Sequence, residues 1–170
     1  GNATGIYSLL VGFVISLCFI VIVSMVTKAP DETILAQFDE YKNLWVFVET
    51  EENAAKSVGY ELLSPGRALA DKMDGKLVAV VIGGNVKDVA EKTVEYGADE
   101  VILVEGEEYF NYSTDAYSYA MKSLVEKYKP STILIGATNN GRDLGPKMAC
   151  DLNTGLTADC TMLDYDEETG

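Results

Sequence analysis

The stretch KLVAVVIG, from Lys76 to Gly83, is an almost continuous apolar run rich in β-branched residues. Such a run predicts a strand buried on both faces, because a half-exposed strand would alternate apolar and polar residues. Three further runs have the same character, and we expect all four to form one mainly parallel sheet. They are LWVFVE at Leu44–Glu49, EVILVE at Glu100–Glu105 and STILIGA at Ser131–Ala137.

Helical patterns separate these runs. Asn85 is a candidate N-cap for the second helix and Ser113 or Thr114 for the third, whereas Ser64-Pro65-Gly66 should disturb the start of the first. Alternating strands and helices predict an α/β fold with a doubly wound, Rossmann-like sheet and right-handed crossovers. The predicted helices are about Tyr60–Met73, about Val86–Tyr96, about Asp115–Lys129, and from Gly141–Asp143 to Leu152.

The charge of the chain is strongly acidic and unevenly placed. The formal net charge is −14, yet no charged residue occurs between Gly1 and Thr27. This balance argues against nucleic-acid binding, which depends on basic patches. The chain has no histidine and no CxxC pair, so we expect no metal site and no catalytic nucleophile–base pair. The three cysteines, Cys18, Cys150 and Cys160, are interpreted as packing residues in a reducing compartment.

Ligands of such sheets lie outside the carboxyl ends of the strands. Three loops leave those ends: Glu49–Asn53, Gly83-Gly84-Asn85, and Gly136–Asp143 with the sequence GATNNGRD. The two glycines of the second loop favour a tight turn over a phosphate cradle. None of the loops has the spacing of a P-loop or a dinucleotide fingerprint.

The GATNNGRD loop carries the strongest signal. Gly136 and Gly141 allow sharp turns or a close approach, and the N–H groups that begin the next helix would favour an anion. Arg142 adds a planar cation suited to phosphate or carboxylate. The residues fit a ligand- or partner-binding turn and an ordinary strand–helix turn with a solvated arginine equally well.

Two other clusters are better explained without a ligand. The aromatic residues Tyr109, Phe110, Tyr112, Tyr117 and Tyr119 have acidic neighbours, so packing under a loop is favoured over base stacking. The carboxylates between Asp159 and Glu168 lack a regular calcium loop and are expected to be solvated.

The N-terminal part has a different character. Residues 5–27 form an apolar run of the ~20 residues needed to cross a bilayer, followed by Lys28. Ile34, Phe38 and Tyr41 then recur at helical spacing. We expect a transmembrane helix at 1–28, a short amphipathic helix and linker at 29–42, and an α/β domain at 43–170.

The run GIYSLLVGFVISLCFIVIVSMVTKAPDETILAQFDEY (residues 5–41) resembles the last membrane helix and cytoplasmic tail of a sodium/solute symporter. The T-K-A-P segment followed by an acidic tail carries the resemblance. A lone span encloses no transport pathway, so it would serve as an anchor. The α/β domain would then lie in the cytoplasm, attached to the membrane, or free in the cytoplasm if this segment is not native.

The remaining three quarters resemble the alpha subunit of an electron transfer flavoprotein. The resemblance rests on NLWVFVE, ELLSPGRALADKM and ILIGATNNGRDLGPKMACDLNTGLTADCT. It implies an electron carrier, rather than a catalyst, that pairs with a beta subunit and serves dehydrogenase and acceptor proteins. In that family FAD is held by a C-terminal domain, absent here, so we expect FAD in the complete heterodimer and none held tightly by this chain alone.

The resemblance also implies a partner-facing or cofactor-facing surface. In electron-bifurcating members a second flavin lies in the beta subunit near this face, with Arg142 as a hypothetical neighbour. The implied residues are Gly136, Thr138, Asn139, Asn140, Gly141, Arg142 and Asp143, with Thr157, Ala158 and Asp159 as second candidates.

Two other origins stay open. The chain could be the end of a symporter fused to a soluble nucleotide-binding or regulatory domain. It could also be an artificial merger of two genes, since no Gly-, Ser- or Pro-rich linker separates Tyr41 from Leu44.

Overall fold

The computed structural model describes residues 42–160 and 162–165. These residues form one α/β unit with short connections. In chain order its elements are β1 (Leu44–Val48), β2 (Thr50–Glu51), β3 (Ala54–Ala55), α1 (Ser57–Lys72), β4 (Leu77–Gly83), α2 (Lys87–Glu95), β5 (Glu100–Glu105), a 3₁₀ turn (Glu107–Tyr109), α3 (Thr114–Tyr128), β6 (Thr132–Ile135) and α4 (Asn139–Leu152).

The main sheet has the strand order β5-β4-β1-β6 and is parallel throughout. Trp45 of β1 lies opposite Val78 on one side and Ile133 on the other. The chain winds outward from β1 to β5 and then returns to place β6 on the far side of β1. The order therefore reverses between β1 and β6, which is where ligands of doubly wound sheets bind. The predicted α/β fold with a mainly parallel sheet is confirmed.

The sheet is covered on both faces, which is why its central strands are apolar throughout. Leu44, Val46 and Val48 of β1 pack in a cluster with Leu63 and Ala70 of α1. The alternate residues Trp45 and Phe47 pack in the other cluster with residues of α3 and α4. All residues of β1 and β4 are buried, because each of these strands has neighbours on both sides and helices on both faces. The predicted burial is wrong for β5 and β6, which are only partly buried because they lie at the edges of the sheet.

Helix α1 begins earlier than predicted, at Ser57, and continues through Pro65. The expectation that Ser64-Pro65-Gly66 would disturb its start is wrong. Proline removes one helical hydrogen bond, but the adjacent Gly66 lets the helix lie very close to the sheet. A Cβ at Gly66 would be 3.0 Å from both Leu77 Cδ1 and Val46 Cγ2, so packing against β1 and β4 compensates for the lost bond.

The other helix starts also differ from the predictions. Helix α2 has Val86, not Asn85, at the N-cap position. Ser113 occupies the N-cap of α3 as predicted, but its side chain forms no capping bond. Helix α4 begins at Asn139, because Thr138 rather than a later residue provides the cap. At the start of α2 the partners come from other segments, since the N–H groups of Asn85 and Val86 donate to Asn53 and Glu105.

Within the described residues, no helix is both long enough and apolar enough to cross a bilayer. The transmembrane helix predicted at 1–28, which includes Cys18, lies outside those residues, as do residues 29–41 of the predicted amphipathic helix and linker. Cys150 and Cys160 are free and exposed. Their interpretation as packing residues is therefore wrong.

Candidate functional site

The carboxylate of Glu49 lies at the carboxyl end of β1, beside the reversal in strand order. Its side chain is only 5% exposed. The hydroxyl of Thr138 donates to Oε2 at 2.5 Å, and the amide of Asn140 donates to Oε1 at 2.8 Å. Since a buried carboxylate is costly unless it is bonded, these contacts are what allow Glu49 to sit between β1 and α4.

Lys56 completes the set of donors around this carboxylate. Its Nζ is 2.9 Å from Glu49 Oε1, and its backbone N–H donates to the Glu49 carbonyl at 2.9 Å. The hydrogen bond to Glu49 is the main cause of a raised pKa of the Lys56 ammonium. Lys56 therefore stays protonated at neutral pH and balances the charge of Glu49.

Thr138 links Glu49 to the start of α4. Its Oγ1 accepts from the Gly141 N–H at 3.0 Å while donating its own proton to Glu49. The Arg142 N–H donates to the Thr138 carbonyl at 2.9 Å. Two of the N–H groups that were predicted to favour an anion thus have partners within the loop itself.

Gly141 is required by a close approach within the loop. A Cβ at this position would lie 1.9 Å from the carbonyl oxygen of Gly136. Gly136 is itself buried, and a Cβ there would be 2.9 Å from Val58 Cγ2. The sequence predicted that the backbone at these glycines approaches something closely. In the structure it approaches atoms of the same domain.

Asp143 holds the other side of the same turn. The hydroxyl of Tyr112 is 2.9 Å from Asp143 Oδ2 and 3.2 Å from the carbonyl of Asn140, and the hydroxyl of Thr114 donates to the same carboxylate oxygen. The bonds from Thr114 and Tyr112 lower the pKa of Asp143. Burial, with a contribution from Asp143, raises the pKa of Tyr112 to about 12. Both groups therefore keep the protonation states that this bond needs across the neutral range.

The outer part of the site is open to solvent. Arg142 and Asp159 are 62% and 64% exposed in their side chains, and Nη2 of the arginine is 2.8 Å from Oδ1 of the aspartate. Asn139 is exposed beside them. Asp159 has φ 52, a left-handed conformation that aspartate tolerates better than most residues.

The structure thus divides the predicted residues into two groups at one edge of the sheet. Whether either group binds a cofactor or partner stays a prediction. The inward or internally bonded residues are Gly136, Thr138, Asn140, Gly141 and Asp143, and the exposed ones are Asn139, Arg142, Thr157, Ala158 and Asp159.

Sequence reasoning missed four polar residues of the site: Glu49, Lys56, Tyr112 and Thr114. One signal was available for Glu49, since an acidic residue directly ends a strand that is otherwise apolar. No local signal linked Tyr112 and Thr114 to this site, because their partners are 28 to 31 residues away for Tyr112 and 29 for Thr114.

The first two loops are packed together instead of forming a cradle. Residues Glu52 and Asn53, both with positive φ, turn the chain between β2 and β3. The side-chain oxygen of Asn53 accepts from the Asn85 N–H at 2.9 Å. A Cβ at Gly84 would be 3.0 Å from Phe110 Cδ2 and 3.2 Å from Asn53 Oδ1. This geometry agrees with the tight turn favoured from the sequence.

The aromatic cluster is only partly packed. The rings of Tyr109 and Tyr112 lie 5.8 and 5.1 Å from the buried ring of Tyr117. Tyr119 is 73% exposed, so packing under a loop is wrong for this residue. Phe110 is 49% exposed, and its ring lies against the loop at Gly84. Among the described residues, no group of three or more acidic or cysteine side chains is placed to hold a metal ion.

These features define the class as a parallel α/β domain whose polar residues converge where its strand order reverses. A model of the electron transfer flavoprotein domain matches residues 44–169, so the chain belongs to the electron transfer flavoprotein domain family.

Named relatives agree with this membership. An acryloyl-CoA reductase electron transfer subunit beta from Anaerotignum propionicum is 47% identical over 131 residues, covering 77% of this chain and 36% of the relative. Protein FixB from Clostridium saccharobutylicum is 45% identical over 131 residues, covering 77% and 39%. An electron transfer flavoprotein subunit alpha from Thermoanaerobacterium thermosaccharolyticum is 44% identical over 129 residues, covering 76% and 39%. The chain thus spans 36–39% of the length of these curated relatives.

Proposed function

We propose that this chain is part of an alpha-type electron transfer flavoprotein subunit. It pairs with a beta subunit and passes electrons between dehydrogenases and an acceptor, as a carrier and not as a catalyst in its own right. The family membership supports this assignment, as do relatives named as electron transfer flavoprotein subunit alpha. In the complete heterodimer, bound FAD supplies the redox chemistry and the protein supplies position and electrostatics.

The observation that carries the proposal is that some side chains of the GATNNGRD turn are bonded within the domain while others are exposed. Its inner side is bonded to Glu49 and its far side to Tyr112 and Thr114. Asn139, Arg142 and Asp143 of the turn are exposed, as is the adjoining Asp159, and the Asp143 carboxylate is already bonded to Tyr112 and Thr114. A turn that is held from within and carries an exposed arginine is well suited to recognise another subunit, because arginine is enriched at the centres of interfaces.

The same exposed groups fit a flavin held by a partner. The guanidinium of Arg142 and the amide of Asn139 offer N–H donors to phosphate or carbonyl oxygens. Glu49, by contrast, already accepts from three donors inside the domain. In the assembled complex we place Arg142 and Asn139 toward the beta subunit and its cofactor.

The test is co-expression of this chain with its beta subunit, comparing Arg142→Ala with a matched control. Lys76→Ala is that control, because Lys76 is 60% exposed and paired with Glu100 but precedes β4 at the opposite edge of the sheet. Arg142→Ala should weaken subunit association by about tenfold, since interface arginines often contribute more than 1 kcal/mol. The control should stay within about twofold, as is usual for surface substitutions.

Association would be measured by surface-immobilised titration, with flavin absorbance recorded on the purified complexes. Equal affinities for the wild-type chain and Arg142→Ala would remove this edge from the interface. An Arg142→Ala complex that associates about tenfold more weakly but shows an unchanged flavin spectrum would keep the interface and remove the cofactor contact.

A second proposal concerns residues 5–27, which have no charged residue and the length of a bilayer span. We infer that they anchor the α/β domain to the membrane on its cytoplasmic side. Fractionating the source cells and probing with an antibody to residues 44–170 tests this. A membrane-bound species supports the anchor. A soluble species with the mass of an ordinary alpha subunit shows that residues 1–42 belong to another protein, such as a symporter.

A further inference from the structure

We infer that Glu49 is a positioning residue for partner binding: its buried carboxylate fixes the first turn of α4 and thereby sets where Arg142 points. The inference rests on the proposed function, in which Arg142 faces the beta subunit. It adds a residue that lies on a different element, has almost no exposed surface and cannot itself touch a partner.

Contacts of the Arg142 side chain are too weak to hold it in one place. Its guanidinium pairs with Asp159 in an exposed geometry, and its Nε is 3.4 Å from the Ala137 carbonyl. Exposed pairs contribute about 0–1 kcal/mol and compete with the entropy of two mobile side chains. The direction in which Arg142 leaves the domain must therefore come from its backbone.

That backbone is tied to Glu49 through Thr138. The Arg142 N–H donates to the Thr138 carbonyl, and the Gly141 N–H donates to the Thr138 hydroxyl. Because this hydroxyl gives its proton to Glu49, its lone pair is free to accept from Gly141. The carboxylate thus orients the cap, and the cap orients the turn that carries Arg142.

All three neighbours of the Glu49 carboxylate are donors. A hydroxyl from Thr138, an amide from Asn140 and the ammonium of Lys56 converge on its two oxygens. A glutamine could keep an oxygen toward Asn140 and Lys56, but its N–H groups would then face the Thr138 hydroxyl, which donates to Glu49 in the wild type. Glu49→Gln therefore keeps the shape of the side chain, removes the charge opposite Lys56 and reverses the bond that orients the Thr138 cap.

The experiment is a double-mutant cycle on association of the full chain with the beta subunit. Glu49→Gln alone should weaken binding by about fivefold and Arg142→Ala by about tenfold, while the double variant should bind like Arg142→Ala alone, because residues acting through one another are non-additive. A loss of folding stability alone would lower binding by the same factor in both backgrounds.

Thr138→Val provides a second route if Glu49→Gln folds poorly. It removes the hydroxyl that donates to Glu49 and accepts from the Gly141 N–H, and it should also weaken binding only when Arg142 is present. Equal losses in both backgrounds, for either variant, would overturn the inference and leave the proposed function standing. No loss from Arg142→Ala would overturn the proposed function and this inference together.

Discussion

Replacing Gly141 by alanine should destabilise the domain far more than the same change at Gly145, one turn later in α4. A Cβ at Gly141 would lie 1.9 Å from the Gly136 carbonyl oxygen and 3.1 Å from Ile135 Cγ2. The obstructing atom belongs to the backbone, so no rotamer change can relieve the contact. At Gly145 the nearest atom is Leu156 Cδ1, at an ordinary 3.7 Å.

The expected loss in the free energy of unfolding follows from the atoms that a Cβ at Gly141 would displace. Overpacking costs about 1–3 kcal/mol when side chains can shift. Here the turn after β6 must open, which also lengthens the bonds from Thr138 and Asn140 to Glu49, and each such bond contributes about 1 kcal/mol. The better helix propensity of alanine returns about 0.5–1 kcal/mol. We expect a net loss of about 3 kcal/mol for Gly141→Ala, against a gain of up to about 1 kcal/mol for Gly145→Ala.

Urea unfolding of the full chain, followed by fluorescence of Trp45, measures both variants. Trp45 is the sole tryptophan of the sequence and is 1% exposed, so its emission reports on the core of the sheet. A mild non-ionic detergent would keep the apolar N-terminal residues in solution. A Gly141→Ala variant within about 1 kcal/mol of wild type, or a Gly145→Ala variant equally destabilised, would refute the reasoning, since differences of this size are readily resolved.

Two further predictions concern pH. The pKa of Asp143 is lowered by its bonds to Thr114 and Tyr112, so its stabilising contribution is complete above its ordinary pKa of about 4 and disappears as the pH falls through the folded-state pKa. Asp143→Asn should accordingly flatten the acid side of a plot of urea midpoint against pH, and an unchanged slope would contradict this. The pKa of Tyr112 is raised to about 12, so its contribution is complete below its ordinary pKa of 10.0 and is lost as the pH rises toward the folded value. The ultraviolet titration of wild type minus that of Tyr112→Phe should show one phenolate appearing near pH 12, and its appearance near pH 10 would count against the burial of the Tyr112 hydroxyl, which is the main cause of the raised pKa.

Glu49 and Tyr112 both bond to the start of α4 from other parts of the chain. Glu49 follows the central strand β1, and Tyr112, which bonds to Asp143, lies in the segment between β5 and α3. Three separate parts of the chain therefore meet at the point where the strand order reverses. This convergence explains why a loop rich in short polar residues can be firmly positioned and still leave an arginine exposed.

Sequence patterns alone predicted the four strands of the main sheet, the burial of β1 and β4, and the α/β class. Those properties are local, because a strand covered on both faces must be apolar at nearly every position, and LWVFVE and KLVAVVIG satisfy that rule without reference to the rest of the chain. The sequence also located the GATNNGRD turn, since glycine, short polar side chains and arginine after a strand are a local signal.

Only the tertiary structure decided which residues of that turn face inward. Glu49 and Thr138 are 89 positions apart, and Thr114 and Asp143 are 29 apart, so no spacing along the chain links them. The caps of α2 and the path of α1 through Pro65 depend in the same way on distant partners, namely Asn53, Glu105 and the face of the sheet. The burial of a strand can be predicted from its own residues. The hydrogen bonds of a polar side chain depend on which distant residues the fold brings next to it.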